Sequence, residues 1–287
     1  MEYKTLKLYP KDYPPVLANF QSPPPFLYYR GNNLKKLLKM PRLAIVGTRK
    51  MSNYGEMVTR KLATQLAEQG VVIVSGLAYG VDAMAHLSTV EAGGLAIAVL
   101  PSPVDNVVPV YNRRLAAKIL EQGGALVSEY PPGLPPGKQN FIARNRLVSA
   151  LSNGVLVTEA PLKSGAIYTA ENALSQNLEV MAVPGNINLH TSIGTNNLLK
   201  KNAHLITDYK DVLNVMGLVN HETHVKQVKG RNQNEQLILD LLLQGITDAE
   251  ELLERSGLEV SKFNQSLTML ELNDKVLALG ANHWAIK

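Results

Sequence analysis

The chain has 287 residues, 29 Lys/Arg against 24 Asp/Glu for a formal net charge of +5, and no cysteine. Its 45% hydrophobic and 18% charged composition excludes wholesale disorder. The lack of cysteine excludes a disulfide framework, a thiol nucleophile and any thiolate-ligated metal centre.

The length implies roughly two domains. No apolar run reaches the ~18 residues of a membrane span, and MEYKTLKLYPKDYPP has no apolar signal core, so a cytoplasmic protein without a membrane partner is expected. Charge is uneven. Residues 1–40 hold seven Lys/Arg against two Asp/Glu, residues 41–216 hold 15 against 12, and residues 217–287 hold seven against ten.

Residues 1–40 are rich in proline (Pro14, Pro15, Pro23, Pro24, Pro25) and aromatics (Tyr3, Tyr9, Tyr13, Phe20, Phe26, Tyr28, Tyr29). Proline opposes a continuous helix or central strand. The segment reads as an extended lead-in packed on the domain that follows.

From residue 41 to 216, short apolar runs alternate with helical stretches. Strands are expected at 43–46, 71–75, 95–100, 125–128, 155–158, 180–183 and 204–206. Helices are expected near 55–69, 80–91, 112–122, 142–151, 166–176, 194–202 and 208–216. The strands are unbroken apolar runs, the pattern of parallel strands buried on both faces. Repeated βα units of this size predict an α/β fold, an extended Rossmann-like, doubly wound, mostly parallel sheet. Its ligands belong at the carboxyl ends of the strands.

Residues 217–232 are polar without periodicity and read as a linker. Residues 233–287 carry a helix at 235–243 and a second to Arg255, opened by a Thr247/Glu250 capping box. A third helix follows from Ser261 to Leu272, then apolar pieces at 276–279 and 284–286. This pattern is a small winged helix.

Three turns gather anion-friendly groups. The first strand ends in Gly47-Thr48-Arg49-Lys50, a strand-to-helix turn with two cations. It matches neither GxGxxG nor GxxxxGK[ST]. The second strand runs into Ser75-Gly76-Leu77-Ala78-Tyr79-Gly80, where Gly76 permits close backbone approach. Asp82 and His86, one helical turn apart, read as a helix surface contact rather than an acid–base pair. In 135–146, PPGKQNFIARNR, a flexible loop presents Lys138, Asn140 and Phe141, followed by Arg144, Asn145 and Arg146 on the opening turn of a helix. Cations for phosphates beside a ring for a base suit sequence-tolerant single-strand binding. Lys163-Ser164-Gly165 forms the third turn. Glu159 reads as an organiser of the cations rather than a base. Val183-Pro184-Gly185-Asn186 and Gly194-Thr195-Asn196 complete the rim. No catalytic constellation and no metal-ligand spacing is present, and no cofactor is expected.

Taken in order, these segments resemble the DNA processing protein A family (DprA, also called Smf). The resemblance is carried by SPPPFLYYRGN (22–32), AIVGTRKMSNYG (44–55), VSGLAYGVDAMAH (74–86), SEYPPG (128–133), FIARNRLVSALS (141–152), VTEAPLKSGAIYTAENA (157–173), VPGNI (183–187) and GTNNLLKKNA (194–203). Gln139–Ala143 differs from the more usual proline-containing form of its loop, and the N-terminal helical domain of many members has no counterpart before the sheet. The resemblance implies a non-enzymatic, homodimeric single-stranded-DNA-binding protein that protects incoming strands and loads RecA in natural transformation. In relatives the pocket matches Thr48, Arg49 and Lys50 and the Lys138–Phe141 loop, with Arg144, Asn145 and Arg146 adjoining.

Two other readings compete. A nucleotide-processing or nucleoside-monophosphate-processing enzyme of a related sheet needs a PGGxGT-type turn with a paired Glu and Arg, and Ser164-Gly165 with Arg144 is an incomplete match. A small-molecule-sensing repressor needs a basic recognition helix. From Asn232 onward there are four Lys/Arg and nine Asp/Glu, and SKFNQSLTMLEL offers Lys262 alone. An acidic face opposes duplex DNA, so the winged helix is expected to contact protein.

Overall fold

The computed structural model describes residues 3–20, 23–31, 34–135, 137–218, 230–273, 275–280 and 282–286, without the side chains of Lys138, Leu279 and Ile286. The chain forms two compact units that divide between Val219 and Asn220. Ser22 and Asn32, Pro136 and most of the expected linker (219–229) lie outside the described residues.

In the first unit the lead-in contributes β1 (Leu6–Leu8), α1 (Pro15–Ala18), β2 (Leu27–Arg30) and α2 (Leu34–Leu37). Then come β3 (Arg42–Val46), α3 (Asn53–Glu68), β4 (Val72–Ser75), α4 (Val81–Glu91), β5 (Ala96–Val99), α5 (Arg113–Glu121) and β6 (Ala125–Ser128). The unit closes with α6 (Lys138–Ala150), β7 (Gly154–Val157), α7 (Gly165–Ser175), β8 (Glu179–Ala182), α8 (Ile193–Lys200), β9 (His204–Leu205) and α9 (Tyr209–Val215).

The nine strands form one sheet in the order β1-β2-β6-β5-β4-β3-β7-β8-β9. Neighbours from β3 to β9 pair parallel. Alternation explains the unbroken apolar runs. Leu43 and Ile45 pack into one layer with Leu62 and Leu66 of α3, while Ala44 and Val46 pack into the opposite layer with Leu147 and Val148 of α6. Each fully buried Leu or Ile contributes about 1.5–3 kcal/mol, so both faces hold the sheet.

The lead-in is more than a strap. β2 pairs antiparallel with β6, and β1 pairs with β2, so the sheet gains two antiparallel strands. The prolines flank these strands and stay out of them, leaving every amide of LYYR free to enter the ladder.

The chain builds β4, β5 and β6 to one side of β3 and then returns through α6 to place β7 on the other side. The carboxyl ends of β3 and β7 therefore form the topological switch point, where open α/β sheets leave a crevice.

The second unit contains α10 (Gln233–Leu243), α11 (Ala249–Ser256), α12 (Val260–Leu272) and the hairpin β10 (Val276–Gly280) and β11 (His283–Ile286). Its own core joins Ile238, Leu239, Leu252, Phe263, Leu270 and Val276, with Trp284 packed against them. The cap of α11 is Asp248 rather than Thr247: the Asp248 carboxylate accepts the amides of Glu250 and Glu251, both at 3.0 Å. A carboxylate at an N-cap meets the same orphan donors as a hydroxyl and adds a favourable charge.

Candidate functional site

At the switch point lies a pocket of about 290 Å³, lined from three sides. The β3–α3 turn supplies Gly47, Thr48 and Arg49, the first turns of α6 supply Phe141, Arg144 and Asn145, and the β7–α7 turn supplies Lys163, Ser164 and Gly165. Arg49 and Phe141 meet across it, with the guanidinium carbon 5.4 Å from the ring centroid. A cation over a ring face contributes roughly 0.5–1 kcal/mol where solvent-exposed. It also leaves a charge and an aromatic edge at the same opening.

The turns are locked to each other. The Thr48 amide donates to the Glu159 carbonyl at 2.7 Å. The Glu159 carboxylate, buried at the end of β7, accepts the Ser52 amide at 2.8 Å and the Ser52 hydroxyl at 2.7 Å. That hydroxyl in turn caps α3 by accepting from the Gly55 amide. Glu159 is thus an organiser, as expected, though it acts on a serine cap rather than on the cations. Ser164 caps α7 through the Ala166 amide, and the Asn145 side chain donates to the Gly165 carbonyl at 3.2 Å, tying α6 to α7.

Gly80 opens α4 at φ +76°, and a Cβ there would lie 2.3 Å from the Thr48 carbonyl oxygen. Glycine is required on both counts, and its bare backbone keeps the β4–α4 turn against the Arg49 loop.

Beneath the pocket sit titratable groups away from water. Arg144 is 4% exposed and donates through Nη1 to the carbonyls of Gly76 and Val99. Gly76 makes room: a Cβ there would fall 1.9 Å from that nitrogen. Asp82 is 7% exposed and accepts the Gly76 amide at 3.1 Å. Burial pushes the Asp82 carboxyl above the usual carboxylate range, while the charge of Arg144 and that amide pull it down. Burial lowers Arg144 to about 10, with Asp82 opposing, so the guanidinium stays charged at neutral pH. His86 is fully buried and lowered to about 4, chiefly by burial, and is neutral at pH 7. Asp82 and His86 are therefore not a helix surface contact. The residue pattern of α4 was compatible with either outcome, because α4 is covered on more than one side. Among the described residues, no three His, Asp or Glu side chains gather where an ion would sit.

A family model described as DNA recombination-mediator protein A matches residues 4–217, and a second, described as DprA winged helix domain, matches residues 226–282. The chain belongs to the DNA recombination-mediator protein A family. It is 45% identical over 201 residues to Protein Smf of Escherichia coli, covering 70% of this chain and 53% of the relative. It is 40% identical over 201 residues to the DNA processing protein DprA of Streptococcus pneumoniae, covering 70% of each. The chain thus spans about half the length of the Escherichia coli relative. The solved structure of DNA processing protein A from Streptococcus pneumoniae superposes with a TM-score of 0.68 at 38% identity, covering 74% of each chain. That of the Helicobacter pylori protein, described by its single-stranded DNA binding mode, gives 0.66 at 36% identity, covering 75% of this chain and 96% of that one.

The family motifs meet at this pocket unevenly. Thr48, Arg49, Phe141, Arg144, Asn145, Lys163, Ser164 and Gly165 line it. Gly76 lies below, under Arg144. Arg146, two residues beyond Arg144, is turned away: it pairs with Glu129 and stands 5.2 Å from the Phe20 ring centroid, beside the lead-in. Lys50 and Asn140 are not among the lining residues. The amide of Lys50 braces the turn by donating to the Thr48 hydroxyl at 3.2 Å. Lys138 lies in the first turn of α6, because the helix expected from residue 142 begins at 138, so Phe141 is presented by a helix rather than a flexible loop. The Pro184 turn also stays apart from the pocket, where its carbonyl accepts the Tyr54 hydroxyl at 2.8 Å. Sequence reasoning missed Asp82 as a pocket residue and the lead-in as the partner of Arg146.

In the second unit the cations of the α11–α12 region are neutralised locally. Arg255 pairs with Glu251 at 2.7 Å and Lys262 with Glu259 at 3.4 Å.

Proposed function

We propose that this protein is a non-enzymatic recombination mediator: a cytoplasmic homodimer that binds and protects incoming single-stranded DNA and loads RecA onto it during natural transformation. The observation that carries the reading is the meeting of Arg49 and Phe141 across the pocket mouth at the switch point of the sheet. Arg49, Lys50, Lys138 and Lys163 are assigned to phosphates, and Thr48, Asn140, Ser164 and Gly165 to polar contacts with the strand. Phe141 is the stacking face, worth about 1–3 kcal/mol per base. Arg144 and Gly76 act from below as positioning residues, and Asn145 fixes the α7 turn. Arg146, paired with Glu129, is assigned to the structure rather than the strand.

Family membership supports the mediator role, and the Helicobacter pylori relative supports the unpaired strand as ligand. The enzyme alternative needs an arginine free to reach a substrate, and Arg144 is committed to two carbonyls. No catalytic residue, cofactor or metal is assigned. The winged helix is assigned to protein contact, since Lys262 is already paired on the helix that would enter a major groove.

The test is a salt-dependent comparison of single-stranded and duplex DNA with the full chain. Single strands should win at every salt concentration. Arg49→Gln should flatten the salt slope by about 0.7, one single-strand phosphate. Equal affinity for duplex, or a sequence-selective loss in Arg49→Gln, overturns the reading.

A further inference from the structure

Beside the pocket runs a second concavity of about 970 Å³, between α4 and the segment that opens α5. Its apolar floor includes Met84, Leu87 and Leu115. Two tyrosines stand on it: Tyr79 is 49% and Tyr111 83% exposed. Their ring centroids are 6.2 Å apart with planes at 43°, so they touch without stacking face to face. A ring in water at these exposures gives up burial that a folded chain ordinarily takes.

Charge here has one sign. Arg113, Arg114 and Lys118 line the groove, and no Asp or Glu is among its lining residues. Arg113 is engaged by the Val107 carbonyl and the Asn106 side chain. Arg114 and Lys118, one turn apart and exposed, form no ion pair among the described residues. Arg114 also sits in the first turn of α5, where the helix dipole disfavours a cation. The helix itself does not account for that placement.

The groove continues the pocket. Ala78 lines the pocket and Tyr79 the groove. Arg49 lines the pocket and Met51 the groove, so exposed Lys50 stands at the divide.

We propose that the Tyr79–Tyr111 groove is a second stacking subsite, entered by the same unpaired strand after it leaves the pocket, with Arg114 and Lys118 on its phosphates and Lys50 at the crossing. The proposal rests on the reading of the pocket as a single-strand site. An acid-free lining favours a polyanion over a protein surface of mixed charge, and open rings beside unpaired cations are what sequence-tolerant strand binding uses.

The experiment compares oligothymidylates of about six and about sixteen nucleotides on the full chain, within the range of known single-strand sites. The double variant Tyr79→Ala/Tyr111→Ala should weaken the longer strand about tenfold or more and the shorter one less than about twofold. Arg114→Gln/Lys118→Gln should flatten the salt slope for the longer strand alone, by about 0.7 per cation. A strand carrying 5-iodouracil should crosslink to Tyr79 or Tyr111 only when long. Unchanged affinity of the longer strand for the tyrosine variant overturns the proposal. So does a change in sedimentation mass without a change in strand binding, which would make the groove a protein interface. Phe141→Ala reports on the pocket separately: loss at both lengths supports the pocket whatever the tyrosines do, and no loss at either length removes the pocket while the tyrosine result still decides the groove.

Discussion

Two of the helices that meet the pocket of the sheet unit begin without acids: α6 opens on Lys138, and α7 has no Asp or Glu in its first turn. In the C-terminal unit the habit is reversed. There α10 opens on Glu235 and α11 on Glu250 and Glu251, and nearby cations are held by acids on the same helices or at their caps. Acids in the first turn complement the helix dipole and stabilise the fold. Leaving them out of α6 and α7 gives up some of that stabilisation and keeps their amide-rich first turns open to an anion, while α3 and α4, which follow the other turns at the pocket, keep Glu56 and Asp82. Under the proposed function, the contrast would place polyanion binding in the first unit, while the second uses its acids for local stability.

The contrast can be broken at its strongest point by Arg144→Met. Removing one buried charge leaves Asp82 uncompensated and two carbonyls without a donor, which costs about 3–5 kcal/mol. Urea unfolding followed by far-UV circular dichroism should show that loss. The chain's one tryptophan, Trp284, lies in the second unit, and its fluorescence transition should not move. A shift in both transitions would mean that the units do not unfold independently.

Phe141→Ala sharpens the contrast from the ligand side. Single-strand affinity should fall by about 1–3 kcal/mol while both unfolding transitions stay in place. Titration calorimetry with an oligothymidylate measures the first quantity, and a lowered sheet-unit transition would make Phe141 a core residue.

Acid should act on the first unit through His86. Its folded value of about 4 lies below the ordinary value of 6.5. The unfolded chain therefore takes up a proton that the folded chain refuses, and stability falls as pH drops through this window. From about pH 7 to pH 5 the protein should lose about 2 kcal/mol relative to His86→Leu. A pH-independent difference between the two would show that His86 is not buried neutral.

The smallest effect belongs to the second unit. Asp248→Ala removes the carboxylate that caps α11 and should lower the Trp284 transition by about 1 kcal/mol. Strand affinity should be unaffected, and a loss of affinity would bring this unit into the binding surface.

The parallel core was legible because strands covered on both faces are apolar along most of their length, and Leu43–Val46 and Val72–Val74 can be read that way without knowing their neighbours. LYYR in β2 could not, since its pairing with β6 is a long-range choice that leaves no local period. Within the site, Arg49 and Phe141 were found by residue type. Arg144 and Arg146 looked equivalent, yet two positions on a helix differ by about 200° of rotation, so one is buried under the pocket and the other faces the lead-in. The sequence shows that cations are present but not which helix face the sheet will cover. Tyr79 and Tyr111 escaped for the opposite reason, because only the fold brings them together.

The Glu159 carboxylate joins two walls of the cleft before anything enters it. The distance between those walls is set in advance, like the jaws of a fixed gauge. On the proposed reading, adaptation then falls to the guest, and a supple polymer would yield where a stiff one of set girth would be turned away.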